Sequence, residues 1–188
     1  AGFKEMAQDP YLNDGLWFQS GFERRLADFP QRRRVTIDKG QGNNSGSPSA
    51  VARAAGTSSF LQANLGGSHD AMCVATSVKL SSVASKATIL RFQSSNLRPI
   101  GRLLVEPGTR ELWVRSEMKG IKRATGARLA LGRWYEVELC GSIGAGGSWQ
   151  VYLDGSKVLD WQIANGGMLI RQFRLGQSGA ATFVMRFE

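Results

Sequence analysis

The sequence predicts an all-β fold in which two antiparallel sheets pack face to face as a sandwich. Short runs of alternating apolar and polar residues recur from Ser49 onward, and Gly, Ser, Asn or Pro bounds each of them. The 23 glycines, spread among many Ser and Thr residues, suit strands joined by tight turns better than helices. No long segment shows a 3.6-residue period and no internal repeat is evident, so helical and solenoid folds are disfavoured.

The alternating runs define the strands in chain order, and their number suffices for two packed sheets. The predicted strands are 50–54, 59–64, 71–80, 88–93, 101–106, 110–116, 128–131, 134–140, 148–154, 157–162, 170–175 and 181–187. The junctions 107–109, 144–147 and 154–156 predict hairpins, because Gly-rich and Asp-Gly pairs accept the positive backbone dihedrals of tight turns. Alternation also assigns faces, so Tyr135, Val137 and Leu139 are expected in the core.

Residues 1–48 form the least regular part of the chain, because turn-forming residues interrupt any steady period. The sequence predicts mostly loop here, with short strands near 16–19 and 34–37. Residues 1–16 are expected to be an irregular N-terminal segment. Residues 17–188 are expected to form a single sandwich domain, since all-β domains commonly reach this length.

The chain is basic, with a formal charge of +9, and 17 of its 24 cationic residues are arginines. Such a charge attracts acidic partners, and a guanidinium binds a carboxylate, sulfate or phosphate through two parallel hydrogen bonds. A generally basic, soluble surface is the alternative interpretation. No apolar run is long enough for a membrane-spanning helix. The start at Ala1 without Met would fit a mature N-terminus left after export, although a fragment would look the same.

The two cysteines, Cys73 and Cys140, fall on the faces of their strands that point away from the core. If the two strands are neighbours, directly opposed residues come close enough for a disulfide. A bridge would indicate a secreted or cell-surface protein, whereas two free thiols in a reducing cell are the alternative.

Two stretches carry a family resemblance. Residues 132–139 read Gly-Arg-Trp-Tyr-Glu-Val-Glu-Leu, and residues 148–155 read Ser-Trp-Gln-Val-Tyr-Leu-Asp-Gly. In this order they resemble the concanavalin A-like and laminin G-like sandwich superfamily, over roughly residues 17 to 188. The resemblance implies a two-sheet antiparallel jelly-roll β-sandwich. That superfamily includes lectins, carbohydrate-binding modules, adhesion domains, glycosidases and polysaccharide lyases.

The sequence gives no good case for an enzyme. Glu136 and Glu138 share a strand face, but they do not fit the Glu-x-Asp-x-x-Glu pattern of jelly-roll glucanases, and a solvated face is expected. The single histidine, His69, is predicted to be an ordinary loop residue. No zinc site is predicted from one His and two widely separated Cys. Calcium stays open because related sandwiches often bind it, but turn chemistry explains Asp70 and Asp154, so no ligand and no other cofactor is assigned.

The outward side of the strands between residues 88 and 116 is the candidate binding face. If alternation places the apolar residues of these strands in the core, then Arg91, Arg102, Trp113 and Arg115 share the opposite face. An indole offers a flat platform for a sugar ring, and arginines suit carboxylate or sulfate groups. A solvated sheet face is the alternative.

The favoured hypothesis is therefore a non-catalytic extracellular module that binds glycans, preferably acidic ones, on this face. A second hypothesis is a structural or adhesive surface protein that acts through assembly with itself or with other surface proteins. A third is a polysaccharide hydrolase or lyase. Nucleic acid is a disfavoured partner because no known nucleic-acid motif supports the charge.

Overall fold

The computed structural model describes residues 26–43 and 47–188, and it confirms the all-β prediction. The described strands are β1 (Gln31–Arg33), β2 (Val35–Asp38), β3 (Ser49–His69), β4 (Ala71–Val83), β5 (Ala87–Gln93), β6 (Pro99–Val105), β7 (Glu111–Ser116), β8 (Ile121–Arg128), β9 (Trp134–Ser142), β10 (Ser148–Leu153), β11 (Ser156–Gln162) and β12 (Ile170–Phe187). Every pairing between them is antiparallel.

Two long strands, β3 and β12, pair along most of their length and pass from one layer of the sandwich into the other. The first sheet has the order β2, β3, β12, β4, β9, β10, β11, and the second has the order β1, β3, β12, β5, β6, β7, β8. The register between β3 and β12 shifts between Gln177 and Thr182, where the strands change sheet. Gly56, with a φ of 65°, lies on β3 at the same level.

The core lies between the two sheets, and alternation places its residues as predicted. Tyr135, Val137 and Leu139 are buried. The inward side chains of β5, β6 and β7 are also fully buried, namely Leu90, Phe92, Leu103, Val105, Leu112 and Val114. At the centre, Trp149 stacks on Phe92 with ring centroids 6.1 Å apart. A side-chain carbon at Gly101 or Gly141 would overlap the Trp149 ring, so both strands need glycine there.

A buried amide fixes the Trp149 side chain. Asn165 Oδ1 accepts from Trp149 Nε1 at 2.8 Å and from the Ser116 hydroxyl at 3.1 Å. Asn165 Nδ2 donates to the backbone carbonyl of Ser142 at 2.9 Å. The loop between β11 and β12 is thereby tied to both sheets, and its polar groups are satisfied inside the core.

The disulfide is present where the faces allowed it. Cys73 on β4 lies directly opposite Cys140 on β9, with a Cα to Cα distance of 4.0 Å. It therefore joins two neighbouring strands of the first sheet. Within the described residues, no helix has the length and apolar character needed to cross a bilayer.

Several strand boundaries differ from the predictions. The predicted strand at 128–131 is wrong, because β8 spans Ile121–Arg128 and ends before Leu129. The predicted strands 50–54 and 59–64 belong to one bent strand, β3, and the predicted strands 170–175 and 181–187 belong to another, β12. In both cases the hydrogen-bonded pairing continues through the change of sheet. The three hairpins form as predicted. The expected strand at 16–19, the irregular segment 1–16 and the domain start at residue 17 lie outside the described residues.

Candidate functional site

A row of cations crosses the outer face of the second sheet. The strand register places five side chains directly opposite one another on neighbouring strands, and together they are called the basic row: Arg174 on β12, Arg91 on β5, Arg102 on β6, Arg115 on β7 and Lys122 on β8. Because neighbouring strands lie about 4.8 Å apart, the row presents one cation per strand over about 19 Å. Gln62 on β3 continues it at the Arg174 end.

The strand register places the predicted residues on one face, and the row extends beyond them. Arg91, Arg102 and Arg115 are members of the basic row, and Trp113 lies two residues before Arg115 on the same side of β7. Arg174 and Lys122 were missed by sequence reasoning. Residue 174 falls within the predicted strand 170–175, but the position of Arg174 beside Arg91 depends on a pairing between distant segments.

Arg174 forms the most enclosed end of the row. Its side chain is only 7% exposed, its Nε donates to Gln62 Oε1 at 3.1 Å, and its guanidinium lies 4.0 Å from the centroid of the Phe60 ring. Burial, and then the charge of Arg91, lower the pKa of Arg174 from its ordinary value to about 10. The group is still cationic at neutral pH, but its charge is poorly compensated.

Arg91 lies next to Arg174 and shares this condition. Burial, and then the charge of Arg102, lower the pKa of its guanidinium, while Glu117 partly offsets them. Among the described residues, the buried Nε of Arg91 has no hydrogen-bond partner, and neither does Oε1 of the buried Gln93 two residues later. A desolvated cation pair that lacks a facing carboxylate favours the arrival of an anion, because the anion offsets both the burial and the repulsion.

Glu117 partly neutralises the middle of the row. Its two carboxylate oxygens lie 2.6 Å from Arg102 Nε and 3.1 Å from Arg115 Nε. The Glu117 side chain is 15% exposed, so the ion pairs are shielded from bulk water. Within the described part of the chain, this contact distinguishes Arg102 and Arg115 from Arg91 and Arg174, for which no ion pair forms.

The open end of the row is built around Trp113. The Lys122 ammonium lies 4.4 Å from the centre of the Trp113 ring, and it also donates to Glu106 Oε1 at 2.9 Å. One face of the indole is thus occupied by a cation and is not open to a sugar ring. The Trp113 Nε1 is buried and has no hydrogen-bond partner among the described residues.

The other residues considered in the sequence lie away from the basic row. Glu136 and Glu138 are on β9 of the first sheet, and His69 closes β3 opposite Ile170. Asp154 lies in the turn between β10 and β11 with a φ of 49°, which is the turn role expected of it, and its carboxylate accepts from the Glu136 backbone N–H on β9 at 2.9 Å. Among the described residues, one cluster has three potential metal ligands, Cys73, Glu138 and Cys140, but its two sulfurs are joined in the disulfide.

Comparisons with known proteins support the fold. The chain is similar to an endo-β-1,4-glucuronan lyase from the fungus Trichoderma reesei, with a TM-score of 0.65 and 14% identity, covering 86% of this chain and 89% of the lyase. It is similar to the cellulose-induced protein Cip1, with a TM-score of 0.64 and 12% identity over 89% of this chain and 93% of Cip1. An alginate lyase, Aly36B, solved with an alginate trisaccharide, has a TM-score of 0.56 and 12% identity over 82% of each chain.

The sequence matches no protein-family model, and no curated protein sequence is similar to it at a significant level. At identities of 12 to 14% the structural matches show the fold alone. They place the chain among all-β folds whose solved members include proteins that act on polysaccharides. Membership of the concanavalin A-like or laminin G-like superfamily stays a prediction.

Proposed function

We propose that this protein binds an anionic polysaccharide, a polyuronate in particular, along the basic row, and that it does so without cleaving it. The observation that carries the proposal is the in-register row of five cations, with the half-buried Arg91 beside the buried Arg174 at one end. A linear chain with a carboxylate on each sugar is a polymer whose charges can follow such a row. The guanidinium groups suit the planar carboxylate, because both form paired hydrogen bonds.

The amide side chains beside the row support a sugar ligand. Gln62, Gln93 and Gln172 lie on the same face, on strands β3, β5 and β12. Gln62 and Gln93 are buried, whereas Gln172 is half-buried, and its amide can donate to and accept from sugar hydroxyl groups as well as carboxylates. The similarity in fold to a glucuronan lyase and an alginate lyase is consistent with this ligand class.

Non-catalytic binding is part of the proposal. Lyases that act on uronates need a group that removes a proton next to the neutralised carboxylate. Within the described residues, the lysine and the glutamate in contact with the row, Lys122 and Glu117, are held in ion pairs, and the strand register places no tyrosine or histidine in the row. The disulfide supports an extracellular setting, because such bonds persist in oxidising compartments.

Titration calorimetry with polygalacturonate, alginate, neutral dextran and double-stranded DNA tests the ligand class at moderate salt. We expect binding to the two polyuronates, none to dextran and weaker binding to DNA. Arg91→Gln should weaken polyuronate binding at least about tenfold, since it removes a desolvated charge from the site. Arg123→Gln is the matched control, because Arg123 pairs with the core residue Val114 and lies off the face. Equal losses in both variants, or tighter binding to DNA, would overturn the proposal.

Two further measurements separate the proposal from its rivals. Ultraviolet absorbance of the unsaturated uronate left by β-elimination should stay at baseline when the protein is incubated with each polyuronate, whereas a steady rise would indicate a lyase. Light scattering after size exclusion should give the same molecular mass for the wild type and for the binding variant Arg91→Gln. A protein that binds no polyanion but runs as a defined assembly would support the adhesive alternative instead.

A further inference from the structure

We infer that Glu117 determines the specificity of the basic row, by acting as a built-in carboxylate that occupies Arg102 and Arg115 and disfavours densely charged chains. This inference rests on the proposed function. It concerns which polyanion the face accepts, and the side chain responsible is not itself a cation of the row.

The position of Glu117 is set by the backbone. β7 ends at Ser116, and the Glu117 N–H donates to the Ile100 carbonyl at 2.9 Å, which keeps the residue in line with the strand. Alternation then directs its side chain to the same face as Arg115. The carboxylate reaches back over the row and contacts Arg102 and Arg115, on two neighbouring strands.

The consequence for a ligand is competition. The Glu117 carboxylate is the same chemical group as that of a uronate, and its tether holds it beside the two arginines at a high effective concentration. A bound chain must either displace it or leave that part of the row unused. Among the described residues neither Arg174 nor Arg91 forms an ion pair, although the charge of Glu117 reaches Arg91, so the charges of these two guanidinium groups are less compensated than those of Arg102 and Arg115.

The charge density of the ligand then matters. A polyuronate carries one carboxylate per sugar, so it can place an anion at the Arg174 and Arg91 pair while it brings fewer anions near Glu117 than a sulfated chain does. A heavily sulfated chain brings several anions close to the Glu117 carboxylate, and like charges at close range are strongly unfavourable. Glu117 should therefore weaken the binding of sulfated chains more than that of polyuronates.

Glu117→Gln tests this directly, because it removes the charge and keeps the shape of the side chain. Heparin and polygalacturonate serve as the probes, with affinity measured by calorimetry over a range of salt. The variant should bind heparin about tenfold more tightly and polygalacturonate by a clearly smaller factor. Its salt dependence for heparin should steepen, since two freed arginines release additional counterions.

Glu111→Gln is the matched control. Glu111 is at the other end of β7 on the same face, so its substitution removes the same charge without freeing Arg102 and Arg115. Heparin affinity should change little in this variant. Glu117→Ala should behave like Glu117→Gln, and thermal melting establishes that each variant is folded.

The outcomes separate the two levels of inference. A wild-type protein that binds no polyuronate would overturn the proposed function. A wild-type protein that binds polyuronate, together with a Glu117→Gln variant whose ratio of heparin to polyuronate affinity is unchanged, would overturn only the role of Glu117. Weaker binding of both probes by Glu117→Gln would also overturn it, because Glu117 would then serve to position the arginines.

Discussion

The two sides of the second sheet both contain buried polar groups, and they treat those groups in opposite ways. On the inner side, the Asn165 amide satisfies Trp149 and Ser116 inside the core. On the outer side, Arg91 Nε, Gln93 Oε1 and Trp113 Nε1 are buried without hydrogen-bond partners among the described residues. Satisfied buried groups contribute to stability, whereas unsatisfied ones lower it and are suited to a ligand. The contrast separates the part of the sheet that holds the fold from the part proposed to bind.

The largest effect is expected from removing the buried hydrogen bonds on the inner side of the sheet. Asn165→Ala should lower the free energy of unfolding by about 3 kcal/mol, because it leaves Trp149 Nε1 and the Ser116 hydroxyl buried without their acceptor. Urea denaturation measures this change. Polyuronate affinity of the folded variant should stay at the wild-type value. Asn64→Ala, at an exposed position, is the control and should cost less than about 0.5 kcal/mol.

A substitution on the outer side of the sheet should instead raise the free energy of unfolding. Arg91→Met should raise the free energy of unfolding by about 1 kcal/mol, because it removes a desolvated charge that repels Arg102. The same variant should lose polyuronate binding. Denaturant unfolding and calorimetry on one preparation test both effects, with Arg123→Met as the control. A destabilised Arg91→Met variant would show that the arginine supports the fold.

The pH dependence of stability gives a smaller and more specific signal. The pKa of Arg174 is lowered to about 10 in the folded protein, from an ordinary value of 12.5. The unfolded chain therefore binds more protons than the folded one between these two values, and this group's contribution to stability rises as pH increases through about 10. Relative to Arg174→Gln, the wild type should gain at most about 1 kcal/mol between pH 8 and pH 10.5. Urea midpoints that differ by a constant amount at both pH values would contradict the lowered pKa.

The smallest effect is expected from Trp113→Phe, and the same substitution at Trp149 gives the comparison. Trp113→Phe should change the free energy of unfolding by less than about 0.5 kcal/mol, because the lost N–H has no hydrogen-bond partner among the described residues. Trp149→Phe should cost about 2 kcal/mol, since it empties space beside Phe92 and removes one of the two hydrogen bonds that Asn165 Oδ1 accepts. Thermal melting of both variants checks the difference, and similar losses would remove the distinction between the two sides.

Local pattern was enough to predict most of the fold. Alternation identified the core residues of β5, β6, β7 and β9, and Gly-rich junctions identified the hairpins. It failed at β8, because both ends of that strand are exposed and its residues do not alternate between apolar and polar. It also failed to join the two halves of β3 and β12, because the residues at the change of sheet resemble turn residues.

The candidate site was predictable only where its strands are consecutive. Arg91, Arg102 and Arg115 lie on β5, β6 and β7, which are linked by hairpins, so alternation alone places them on one face. Arg174 is on β12, and its register with β5 depends on contacts between distant segments that the sequence does not reveal. Lys122 was lost together with β8.

The antiparallel register of the second sheet has a consequence for how long a bound polymer must be. Because each strand contributes one cation, a bound polysaccharide that lies across the strands meets a new cation about every 4.8 Å. The number of paired strands therefore sets the length of polysaccharide that can contact the row. An added edge strand bearing one arginine would lengthen the row by one cation, or about 4.8 Å, without altering any existing contact.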